Sequence, residues 1–536
     1  MKFKYIGFIF ASALLFTACD SDDDSLADPF INDTVSNPTA PTFSSGSADF
    51  STFVALGNSL TAGFSDGTLF AKGQAVSFPN VLSQQFSLAG GGDFTQPVVD
   101  DDVGGLLFGG TQITNPRFIF DAVNAAPVLF NGTPTTEVTN IRPGPYNNMG
   151  VPGAKSFHLL ANGYGNAANF PAAANPYFIR MASSPNASML EDTMAQNPTF
   201  FSLWIGNNDV LGYATSGGDG SNPITDTATF TGAMTAIVQT LVSGGSEGII
   251  ANIPNVTDAP FFTTVPFAPL DPSNPSFGPL IPQLNGIFGQ LNQVYAFLEG
   301  QGIPNATDRQ IVFNETAASA AVIRDETLAD LSTQISGVLN ASPTFPAFVE
   351  SLGLPAAAAP LVANLLGVAY GQSRQANAND LLTLSSSSII GTVNEPFFSF
   401  LMSQGIPEAL AGQFSVEGVT YALDDNWVLI PSELEEIQIA TTTFNNIIAD
   451  LATANDLAFF DVNTFFNGVA TNGFQAGSAF MTADFVTGGT FSLDGVHPSP
   501  RGYAVAANQM IDIINAKYGS NLPNVNPVDF TGVYLD

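Results

Sequence analysis

Two histidines, His158 and His497, are the only imidazoles in 536 residues. A histidine base therefore has two candidate positions, and they differ in their neighbours. Asp494-Gly495-Val496-His497-Pro498 sets a carboxylate three residues before the ring. At that spacing it can hold the imidazole in one tautomer and leave the other nitrogen to take a proton from a serine. His158 lies in SFHLLA, read as a helix, with no carboxylate at a matching spacing; it is expected to be structural.

Three Gly-bearing turns could complete such chemistry. Gly57-Asn58-Ser59-Leu60 places a serine just after the apolar run Phe53-Val54-Ala55-Leu56. Alone it is equally compatible with a plain turn. Gly206-Asn207-Asn208-Asp209 follows the apolar run Thr199 to Ile205. Gly and Asn suit a turn, and an Asn amide there can also donate to a developing oxyanion. In Asn148-Met149-Gly150-Val151-Pro152-Gly153-Ala154, Gly153 offers either loop geometry alone or an unobstructed backbone N–H.

The elements that must position these turns alternate. Phe53–Leu56, Thr199–Ile205, Gly248–Ile253 and Leu457–Val462 read as strands, continuous apolar runs of the kind buried on both faces. Ser77–Phe86, Thr229–Leu241, Glu433–Ala454 and Pro500–Lys517 read as helices. Ile437, Ile439, Phe444, Ile447, Ile448 and Leu451 are the expected apolar positions of the third. Such alternation implies an α/β fold with a parallel sheet covered by helices on both faces. Residues 88–146 look loop-rich. Residues 262–430 form a long insertion with helices expected at Leu280–Leu298 and Phe348–Tyr370 and a β-rich piece at Gly418–Ile430. Its apolar stretch Phe345–Tyr370 reads as packed helix or as a lid over the site.

In order, the blocks GNSLTAG, NMGVPGAKS, WIGNNDV and LDGVHPSPRGY resemble the SGNH (GDSL-type) hydrolase superfamily, in particular its large Bacteroidetes lipoproteins. The resemblance covers about residues 49–261 and 431–520, and IANIPNV around Asn252 resembles a further strand of the family. It implies a three-layer α/β/α, flavodoxin-like core. It also implies Ser59 as nucleophile, His497 as base and then acid, and Asp494 as the group that orients His497. The oxyanion hole would combine the backbone N–H of Ser59 and Gly153 with the Asn208 amide, and no metal or organic cofactor is required. Asn58 stands where the family usually has Asp and is given no catalytic role. The implied reaction is hydrolysis of carboxylic esters through an acyl-enzyme. Alternatives are removal of acetyl groups from polysaccharide, or binding of acyl compounds for an outer-membrane channel. The 46 Phe residues and the apolar insertion favour lipid-like acyl groups.

Composition narrows the rest. A net charge of −34 repels phosphate backbones and argues against nucleic-acid partners. One Cys excludes a disulfide framework and Cys-rich metal sites. Asp100-Asp101-Asp102 reads as solvated loop charge or as a cation site. At the N-terminus, Lys2 and Lys4 precede the apolar run Tyr5–Phe16, which is shorter than the ~20 residues of a membrane-spanning helix. Phe16-Thr17-Ala18-Cys19 resembles a bacterial lipobox, with Cys19 as the lipidated residue after an 18-residue signal peptide. Asp20-Ser21-Asp22-Asp23-Asp24 resembles the export signal of surface lipoproteins. Residues 19–48 are expected to be a flexible acidic tether to the outer membrane, and 521–536 a C-terminal tail.

Overall fold

The computed structural model describes residues 42–535. The expected signal peptide, Cys19 and most of the tether lie outside the described residues.

Five strands form one sheet: β1 (Phe53–Gly57), β2 (Asn148–Gly150), β3 (Phe200–Trp204), β4 (Glu247–Ala251) and β5 (Ala458–Phe460). All pairings are parallel, in the order β2-β1-β3-β4-β5. That is a doubly wound order, with its switch point between β1 and β3, where ligand crevices form at the strands' carboxyl ends. The register brings these ends level, because Gly57 is opposite both Gly150 and Trp204. Gly57 is required there by close approach. A Cβ would stand 2.4 Å from the Trp204 carbonyl oxygen and 2.2 Å from Thr61 Oγ1.

The helices that matter here are α1 (Ser59–Ala62), α2 (Phe78–Ser87), α3 (Asn208–Thr215), α4 (Thr227–Val242), α5 (Ile281–Gly300), α6 (Ser332–Ala341), α7 (Ala359–Tyr370), α8 (Pro431–Ala454), α9 (Val462–Asn472) and α10 (Pro500–Tyr518). Successive strand side chains point to opposite faces, and both faces are apolar. Phe53, Ala55, Phe200, Ile249 and Phe460 pack with α2 and α10. Val54, Leu56, Phe201, Leu203 and Ile250 pack with α4 and α8. This explains why the strands read as unbroken apolar runs. On α8, Ile437, Phe444 and Ile448 are buried but Ile439 is 59% exposed. Two residues beyond Ile437 is about 200° around a helix, so Ile439 falls off the buried stripe.

The insertion 262–430 has a hydrophobic core of its own, built from α5, α6, α7 and neighbouring turns. The expected single helix Phe348–Tyr370 is broken instead. One helix spans Phe345–Ser351, and after a turn with Gly353 at φ +84° and then Pro355 the chain re-enters at Ala359, bent by 115°. Phe345, Val349, Val362 and Tyr370 are buried within the insertion, as the packed-helix reading expects. Among the described residues no single helix is long and apolar enough to cross a membrane. The piece expected to be β-rich contributes one short strand, Val428–Leu429, paired with Leu381–Leu382, and isolated bridges at Tyr421 and Leu423. Asp424-Asp425-Asn426 turns the chain just before it, into a 3₁₀ turn at Asp425–Trp427. Residues 88–146 are largely irregular but carry two short hairpins, Leu107–Phe108 with Thr111–Gln112 and Phe118–Asp121 with Ala126–Leu129.

Both ends of the described chain are more ordered than expected. Ser44 N–H donates to Asn521 Oδ1 at 2.6 Å and Ser47 N–H to the Tyr518 carbonyl at 2.8 Å, while Ala48 is buried. Residues 44–48 are therefore docked on the C-terminal segment and are not tether. The tail is docked as well. Leu522 is buried, and the Arg117 guanidinium lies 5.1 Å from each of the rings of Phe70, Phe130 and Tyr534.

Phe230 on α4 and Phe444 on α8 stack with centroids 3.9 Å apart, both buried. Phe444→Ala should cost about 3–5 kcal/mol. Urea unfolding should show this as a lower midpoint at unchanged slope.

Candidate active site

Ser59 is the first residue of α1, directly beyond β1. Asn58 caps that helix, its Oδ1 accepting from Leu60 N–H at 3.0 Å. Its Nδ2 donates to Asn207 Oδ1 at 3.1 Å, linking the turn after β1 to the turn after β3. Asn58 is thus a brace.

His497 and Asp494 reach this point from a loop near the other end of the chain. His497 Nε2 is 2.9 Å from Ser59 Oγ, and His497 Nδ1 is 2.9 Å from Asp494 Oδ2. Asp494 Oδ1 also accepts from the backbone N–H of Val496 (2.9 Å) and His497 (2.8 Å), and Oδ2 accepts from Gly67 N–H (3.0 Å). Burial alone would raise this carboxyl, but the His497 charge and these donors outweigh it and hold it below its ordinary value. Phe64 packs its ring 4.5 Å from that of His497.

The other two turns face the same place. Asn208 heads α3 and lines a cavity with Ser59 and His497. Its Nδ2 donates to the Ala154 carbonyl at 2.9 Å, leaving one amide hydrogen uncommitted. Gly153 sits beside that carbonyl at φ +80°, a left-handed conformation natural to Gly. Among the described residues, neither its N–H nor that of Ser59 has a hydrogen-bond acceptor. The chain therefore brings together Ser59, Asp494 and His497 by direct contact, and Asn208 and Gly153 through Ala154.

Sequence reading missed the groups that hold these turns in place. Asp209 is fully buried and accepts from Ser156 N–H and Ser156 Oγ, each at 2.8 Å, which ties the Gly153 turn to α3. Its place next to Asn208 was the only available signal. Asp66 is 2% exposed, at φ +50°. Its Oδ1 accepts from Leu493 N–H at 2.8 Å, its N–H donates to Ser492 Oγ at 3.0 Å, and its Oδ2 is buried without a partner. Burial pushes its carboxyl up to about 7, with Asp494 raising it further against Leu493 N–H and Arg117.

The remaining candidates lie elsewhere. His158 sits on a 3₁₀ turn (Ser156–Leu160), not on an α-helix. Its Nδ1 accepts from Lys155 N–H at 3.0 Å and its ring stacks on Tyr164; burial and the Lys155 charge bring it down to about 4. The Asp100–Asp102 carboxylates are engaged by protein groups. Asp100 pairs with Arg142 at 2.7 Å, Asp101 accepts from Gly104 and Thr135, and Asp102 accepts from Lys72. One oxygen each of Glu326, Asp425 and Glu433 lie within 4.8 Å of one another. Burial, then repulsion from neighbouring carboxylates, raises Asp425 to about 6 and Glu433 to about 8.

No protein-family model, curated protein or solved structure matches this chain.

Asp66 makes a prediction about pH. A carboxyl whose folded value is raised contributes most to stability below its unfolded value near 3.8, and that contribution is lost as pH rises through about 7. Asn tolerates positive φ and can still accept from Leu493. Asp66→Asn should therefore gain stability over wild type as pH rises from 4 to 8, by on the order of 4 kcal/mol at the top. Parallel melting curves across that range would assign the pH dependence to other groups.

Proposed function

We propose that this protein is a serine-dependent hydrolase of carboxylic esters, of the SGNH type, and that its α/β core is that superfamily's. The observation that carries the reading is the hydrogen-bonded line Ser59–His497–Asp494, 2.9 Å at each step, at the carboxyl ends of a doubly wound sheet. Beside it lie two unengaged backbone N–H groups and a half-engaged Asn amide.

In the proposed reaction, Ser59 Oγ attacks the ester carbonyl carbon while His497 Nε2 takes its proton. The largely buried Asp494 carboxylate holds His497 Nδ1–H and offsets the charge on the imidazolium. The carbonyl oxygen becomes an oxyanion and accepts hydrogen bonds from Ser59 N–H, Gly153 N–H and Asn208 Nδ2–H. Collapse breaks the bond to the alcohol oxygen, which leaves with the proton from His497. Water, deprotonated by His497, then attacks the acyl-enzyme. The tetrahedral adduct expels Ser59, which regains its proton, and the carboxylic acid departs. No step requires a group beyond these side chains and water. Lipidation at Cys19 and export behind the acidic run would hold this activity at the outer face of the outer membrane.

Ser59→Ala should lower kcat on short p-nitrophenyl esters by at least ~10⁴-fold and abolish covalent labelling by a fluorophosphonate. Asn208→Ala should cost about 100- to 1,000-fold in kcat. A folded wild-type protein that neither turns over these esters nor takes the label would refute the proposal.

A further inference from the structure

A cavity of about 110 Å³ is lined by Ser59 and His497 together with side chains of the core. Its walls come from the end of β3 (Trp204), the segment after β4 (Val256), α9 (Phe465 and Phe466), Phe491 and Ala506 on α10. No lining residue belongs to the insertion 262–430, so the hydrolase core alone shapes this space. His497 is its only ionisable lining residue. Of the polar groups that line it, Asn207 Oδ1 accepts from Asn58 and Asn255 Nδ2 donates to Asp258 Oδ1, while Thr490 Oγ1 is buried without a partner and Asn208 keeps one amide hydrogen for the oxyanion. The remaining walls are apolar side chains, among them Leu60, Val256, Phe460, Val462 and Phe491, and suit an alkyl chain better than a hydroxyl-bearing sugar.

We infer that this cavity is the acyl-chain site, and that the substrates are esters of medium-length fatty acids rather than acetyl esters. The inference rests on the ester-hydrolase reading above. A site for one water needs roughly 10–15 Å³, so the space holds the equivalent of about seven to eleven waters, room for a medium-length acyl chain. The acetyl group has a single methyl to place there and would leave most of it empty. The acyl half fits better than the alcohol half because of the order of events. The alcohol must leave before water can attack, whereas the acyl group stays on Ser59 through both steps. An apolar space walled in part by α10 suits the half that stays.

Each buried methylene is worth about a fourfold rise in kcat/KM. With purified full-length protein and p-nitrophenyl esters from acetate to palmitate, kcat/KM should climb by about that factor per methylene and level off near C6 to C8. Ala506→Leu fills part of the cavity and should lower the octanoate-to-acetate ratio of kcat/KM at least tenfold. Phe466→Ala lengthens it and should move the optimum to longer chains. Both variants are compared by fluorophosphonate labelling of Ser59, so that a misfolded variant is recognised by loss of label. A labelled enzyme with a flat acyl profile would overturn the acyl site and leave the hydrolase reading intact. So would a profile that neither variant moves. Chain-length dependence in alkyl acetates, but not in the acyl series, would assign the cavity to the alcohol and overturn the inference. Absence of both labelling and turnover in wild type would instead refute the hydrolase reading itself.

Discussion

A largely buried carboxylate, that of Asp494, is the constraint around which this molecule is arranged. Asp494 can stay charged out of water only if its oxygens are hydrogen-bonded. Its donors come from three places: the backbone of Val496 and His497, the His497 ring and Gly67. Satisfying the charge therefore fixes the loop that carries His497 and also pulls residues 64–67 against it. Further links tighten the same junction. Tyr503 Oη–H donates to the Phe64 carbonyl at 2.6 Å and Ser65 Oγ–H to the Pro498 carbonyl at 3.3 Å. The insertion begins here too, because Phe261 N–H donates to the Gly495 carbonyl at 3.0 Å.

The sheet solves the complementary problem of bringing distant turns to one place. Parallel strands point their carboxyl ends the same way, and the level register of β1, β2 and β3 turns that into a shared edge. Side-chain bonds between turns then set the spacing: Asn58 to Asn207, Asn208 to Ala154, Asp209 to Ser156. The insertion, with its separate core, adds mass beside this edge without supplying walls to the cavity at Ser59.

Much of this was legible in the chain itself. Strands buried on both faces must be apolar throughout, so β1, β3, β4 and β5 stand out as uninterrupted runs. The three-residue spacing of Asp494 and His497 is local, and their contact is visible from that spacing. Less legible were features whose partners are remote or short. Asp66 acts on Leu493 across 427 residues, and nothing near it in sequence signals that. The pairing order of the strands is likewise a long-range property. The break in the expected Phe348–Tyr370 helix was signalled by Gly353 and Pro355, but continuous hydrophobicity masked it. Docking of residues 44–48 rests on backbone groups, which leave no mark on a polar, Ser-rich stretch.

Ser59 and His497 stand 438 positions apart, which gives the chain a built-in order of assembly. A ribosome makes the serine long before the imidazole. Until His497 is made, the Ser59 hydroxyl has no imidazole to draw off its proton. The hydrogen bond between them joins two segments made far apart in time. α10, which starts at Pro500, packs with Phe53 and Ala55 of β1 and holds the later segment beside the first strand.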